Sequence, residues 1–91
     1  MPAAQANAVL ADGAGTAWDG KVICRSSMHD LLFTLPGDDY PWRADIRVSW
    51  IDGVFEVRLE RGGLLVTADR CRDEMSQVLL DSFLHQLVAE G

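Results

Sequence analysis

From Ala44 to Ala68 apolar and polar residues alternate, and two dipeptides, Asp52-Gly53 and Gly62-Gly63, interrupt the alternation. Asp-Gly between alternating runs is a strong hairpin signal, because a type I′ turn needs positive φ at both central positions. A turn there sets Trp50 opposite Phe55, Val48 opposite Val57 and Ile46 opposite Leu59. All six then share one face, and a slip of one residue would turn every side chain of one strand over. The second turn extends the pattern by pairing Leu59 with Val66 and Val57 with Ala68. A three-stranded antiparallel meander is therefore expected. Its second face carries Asp45, Arg47, Ser49 and Ile51 opposite Glu60, Arg58, Glu56 and Val54. This reads as a mixed-sign lattice on a wet surface, each contact contributing ~0.2–1 kcal/mol.

After the sheet the period changes. Leu79, Leu80, Phe83, Leu84 and Leu87 recur on one side of a helix expected over 75–90, with Asp73 as N-cap and Glu74 in the first turn. Ahead of the sheet, residues 21–25 have strand character and charged ends that suit an edge. The stretch 27–35 fits two periods. Met28, Leu31, Leu32 and Leu35 make a helical stripe, whereas Leu31, Phe33 and Leu35 alternate as a strand does. The capping potential of Ser27 with Asp30 and the stop at Pro36-Gly37 favour a helix. A loop, 37–43, with Asp38 and Asp39 in solvent, then leads into the sheet. The expected fold class is α+β: an antiparallel three- to four-stranded meander with a C-terminal helix packed on one face and a short helix before the sheet, in the order α-β-β-β-α. Alanine- and glycine-rich residues 1–17 read as a flexible tail, leaving 18–91 as a single domain.

Ninety-one residues support one small core. Fourteen acidic residues against eight basic ones give a net charge of −6. That balance disfavours nucleic acid and anionic lipid as partners, since both are held by Lys and Arg. The expected order of elements is shared with double-stranded-RNA-binding domains. The start of the last helix, however, sets two arginines against three carboxylates between Asp69 and Glu74, where RNA phosphates would need a basic cluster. No apolar run approaches the ~20 residues a membrane span requires. No signal peptide is evident, and two distant cysteines fit a cytoplasmic protein with reduced thiols.

Motifs for phosphate binding, dinucleotide binding or a nucleophile elbow are missing, so no catalytic residue and no cofactor is assigned. His29, His85, Cys24 and Cys71 lack metal-ligand spacing, and no metal is expected. Cys71, between Arg70 and Arg72 and ahead of a helix, is a candidate reactive thiol. The apolar and aromatic residues left over from the core point instead to binding. Tyr40 and Trp42 in the loop, with Arg47, Ile51, Val54, Arg58 and Leu65 on the second sheet face, form the candidate interaction surface. The expected function is a small acidic, non-catalytic protein-interaction module, with self-association as one mode. The alternative is a thiol-dependent enzyme or redox sensor centred on Cys71.

Overall fold

The computed structural model describes residues 18, 20–27 and 30–90. Among them, five strands form one antiparallel sheet: β1 (Ile23–Ser27), β2 (Asp30–Thr34), β3 (Ala44–Ile51), β4 (Val54–Arg61) and β5 (Leu64–Cys71). Their order across the sheet is their order in the chain. A 3₁₀ turn, Asp73–Met75, then leads into one helix, α1 (Ser76–Glu90), which packs against β3, β4 and β5. The fold is α+β. The expected N-terminal tail, 1–17, lies outside the described residues.

The central hairpin has the expected register, with Trp50 against Phe55, Val48 against Val57 and Ile46 against Leu59. Asp52 and Gly53 both take positive φ, 51° and 77°, as a type I′ turn demands. Gly62 and Gly63 do the same at 62° and 82°. Ile46, Val48, Phe55, Val57 and Leu59 are buried beneath Leu80, Phe83, Leu84 and Leu87 of α1. Burial of side chains of this size contributes ~1.5–3 kcal/mol each, so the sheet–helix contact dominates stability. Trp18 closes one end of this core. Its indole Nε1 donates to Asp81 at 3.1 Å, its ring meets His85 edge-on, and the Lys21 ammonium lies 5.8 Å from its centroid.

Two expectations are corrected. The segment read as a short helix is strand β2, so the sheet has five strands and no helix precedes it among the described residues. Leu31 and Phe33 of β2 face α1, opposite Val48 and Ile46. Leu32 and Thr34 face the other way and are buried as well. A strand buried on both faces shows a continuous apolar run, which mimics the stripe of a helix. With that helix gone, the shared order with double-stranded-RNA-binding domains lapses.

The second correction is the register of β5. Arg61 faces Leu64 and Glu60 faces Leu65, as the turn requires, but Leu59 then faces Thr67 and Val57 faces Asp69. Val66 is an extra residue, a β-bulge, and the expected pairs with Val66 and Ala68 do not form. Charge placement explains the shift. Without the bulge Asp69 would fall opposite Glu56, like charge against like, and Arg70 opposite Phe55. With it, Arg70 faces Glu56, at 2.7 Å, Cys71 faces Phe55, and Asp69 lies opposite Val57, where it stays exposed.

Candidate interaction surface

The face of the sheet turned away from α1 is not uniformly open. Toward β2 and β3, Leu32, Thr34, Asp45 and Ser49 are buried. Over β4 and β5 the face carries Glu56, Arg58, Leu65 and Arg70, and side chains there reach solvent. A mixed-sign lattice forms on this face. Arg47 reaches across to Asp30 of β2, at 3.6 Å. Glu56 collects both Arg58 (3.6 Å) and Arg70 (2.7 Å), while an Arg58 Nη2 donates to the Ser49 hydroxyl at 3.5 Å. Asp45 lies opposite both Thr34 and Glu60. Burial, and then the neighbouring Glu60 carboxylate, push its carboxyl above the usual carboxylate range, while Arg47 and Arg58 pull it back.

Beside this lattice stands the 37–43 loop, and one residue fixes its shape. Asp38 is buried, not solvated as expected from its neighbour Asp39. Its carboxylate accepts from the backbone N–H of Arg43 through both oxygens, at 3.1 and 3.0 Å, and from that of Ala44 at 3.5 Å. The Arg43 guanidinium adds a 3.9 Å ion pair. The loop is thus tied back onto the first residue of β3. Charge-assisted bonds to backbone donors are the strong kind, so the loop is a fixed platform. It presents Tyr40, 80% exposed, edge-on to the half-buried Trp42 with 5.2 Å between ring centroids.

Tyr40, Pro41 and Trp42 form one wall of a shallow groove of about 490 Å³, floored by Asp45, Arg47 and Glu60 and ending at Gly62-Gly63. A second groove continues on the same face, between Glu56, Arg58, Leu65, Ala68 and Arg70. Of the seven residues expected to form an interaction surface, Tyr40, Trp42, Arg47, Arg58 and Leu65 line these adjoining grooves. Ile51 and Val54 do not join them. They flank the β3–β4 turn at the far end of the face, six residues along β4 from Glu60, a distance of ~20 Å. Sequence reasoning missed Asp38 and the exposed apolar positions Leu64 and Val66. Leu64 stood in the sequence as a leucine directly after a glycine turn, which was its one signal.

Cys71 is half-buried at the end of β5 and packs against the core beside Phe55, away from the outward-turned Arg70 guanidinium. Cys24 lies on the edge strand β1, exposed as a residue, and desolvation raises its thiol pKa, which disfavours the thiolate. Among the described residues no three His, Cys, Asp or Glu side chains gather where they could hold a metal, and no helix is long and apolar enough to cross a membrane. The chain matches no known protein family, no curated protein and no solved structure.

Proposed function

We propose that this protein is a non-catalytic protein-interaction module, and that its recognition surface is the pair of grooves beside the 37–43 loop. The observation that carries this reading is the platform itself. Asp38 holds an exposed tyrosine against a tryptophan at the rim of a groove whose floor offers charges of both signs. Aromatic and arginine side chains are the residues most enriched at binding hot spots. Rigid presentation lowers the ordering cost of binding. The groove is open and shallow, which suits a peptide or a protein surface better than an enclosed small molecule. The net charge of −6 favours a partner with basic residues, for which Asp45 and Glu60 are the acceptors and Tyr40 and Trp42 the aromatic faces.

A peptide library displayed on phage and selected on the folded protein tests this reading. Peptides enriched on the wild type are expected to be basic and to lose at least tenfold in affinity toward Tyr40→Ala, about 1.4 kcal/mol or more. Failure to enrich any family of peptides, or binding indifferent to Tyr40→Ala, would remove the groove as the recognition site.

A further inference from the structure

The two edges of the sheet are built differently. β1 is five residues long and carries Arg25, with Lys21 just before it. Short, cationic edges discourage a further strand. β5 runs for eight residues, and its first five, Leu64 to Ala68, carry neither charge nor proline. Leu64, Leu65 and Val66 are 74%, 61% and 46% exposed. Among the described residues β5 pairs with β4 on one side only. The other side offers backbone N–H and C=O groups, whose natural complement is another extended strand.

We propose that β5 pairs antiparallel with β5 of a second copy about a two-fold axis at Ala68, joining the two sheets edge to edge. Charge selects both the occupant and the axis. β5 contains one aspartate and one arginine, so two β5 strands meet without the repulsion that the whole chains carry. An axis at Asp69 or Arg70 would set like charges face to face, which is destabilising. An axis at Ala68 sets Asp69 against Thr67 of the second copy, whose hydroxyl can donate to the carboxylate. It also lays the aliphatic stem of Arg70 along Val66 of the second copy. The bulge at Val66 leaves Thr67–Cys71 as the regular stretch, and Ala68 is the uncharged, small residue within it. A β5–β1 pairing would instead be head-to-tail, building rings or open filaments rather than a two-fold dimer. One strand pair makes an interface at the small end of the specific range, so the expected dissociation constant is micromolar. This contact does not involve Tyr40, Trp42 or the groove beside them, but it shares Leu65, Ala68 and Arg70 with the second groove; the Tyr40→Ala experiment reads the first groove and the cross-link at position 68 reads β5, so the two proposals fail separately.

Sedimentation equilibrium across the micromolar range, together with cysteine cross-linking, tests the proposal. Ala68→Cys is placed in a Cys24→Ser, Cys71→Ala background, with Val78→Cys on the exposed side of α1 as control. Two cysteines facing each other on the axis lie within disulfide reach. The expected result is a monomer–dimer equilibrium and rapid disulfide dimer at position 68 but not at 78. In the wild-type background, Leu64→Lys with Val66→Lys should weaken the dimer at least tenfold while circular dichroism stays unchanged. A monomer up to about 0.5 mM, open-ended polymers, or a dimer indifferent to the lysines would each overturn the proposal. So would a dimer that forms no disulfide at 68.

Discussion

Deleting Val66 removes the bulge residue, and the register of every other β5 pair should survive. Leu65 stays opposite Glu60, and Thr67, now next in the chain, already stands opposite Leu59, so Asp69, Arg70 and Cys71 keep Val57, Glu56 and Phe55 as partners. The Arg70–Glu56 pair, worth ~0.2–1 kcal/mol, is retained, and so is the contact of Cys71 with the core. What is lost is one half-exposed side chain, whose contribution is under ~1 kcal/mol. In urea that is a midpoint shift of less than ~1 M for a domain of this size. Val66→Ala is the control: it truncates the same side chain, keeps the extra residue, and should also cost under ~1 kcal/mol. The sharper test is a double-mutant cycle on the ion pair. Arg70→Leu removes the Glu56 partner and should destabilise the wild type and the deletion variant alike, by ~0.2–1 kcal/mol. If Arg70→Leu destabilises the wild type but stabilises the deletion variant, the arginine has moved to the face covered by α1, and Val66 is not the residue that the register skips.

Two further substitutions probe the surface. Asp38→Ala leaves the backbone N–H groups of Arg43 and Ala44 without their acceptor, and should cost about 1–3 kcal/mol and broaden the NMR signals of Tyr40 and Trp42; sharp, unmoved signals would show that the loop holds its shape without this carboxylate. Asp45→Asn tests the raised carboxyl: with the folded-state pKa above the unfolded one, the native state binds the proton more tightly, so the aspartate's burden on stability is present at neutral pH and relieved as pH falls through the folded pKa. The variant should therefore melt higher than wild type at pH 7, with the difference shrinking as pH falls through the raised pKa toward the usual carboxylate range, and a melting difference independent of pH would refute the argument.

The hairpin of β3 and β4 was legible because turn chemistry and side-chain alternation specify the same register independently. β2 was not, because burial on both faces erases the alternation that distinguishes a strand. The bulge was partly legible. Reading the regular register through to its end sets Asp69 opposite Glu56, like charge against like, and that conflict is visible in Asp69-Arg70-Cys71. Asp38 was opaque for a different reason. Its partners are backbone groups of Arg43 and Ala44, which approach it only once the loop has closed, and no side-chain pattern encodes that closure. Spacing along the strands likewise separates Ile51 and Val54 from Leu65, although alternation alone sets all three on one face.

Because the strand order follows the chain order, each strand can pair as soon as its neighbour in sequence is present, through connections of two to nine residues. Hairpins of this kind close in ~1–10 μs, and none must wait for a distant segment. The exception is α1, which must reach back over β3 and β4 to cover Phe33, Ile46, Val48, Phe55 and Val57. Until that docking, the sheet is a sticky, one-sided plate with an open edge at β5, the species most prone to associate with its own kind. The rate at which α1 docks, rather than the rate at which strands pair, therefore decides how much newly made chain is lost to aggregation.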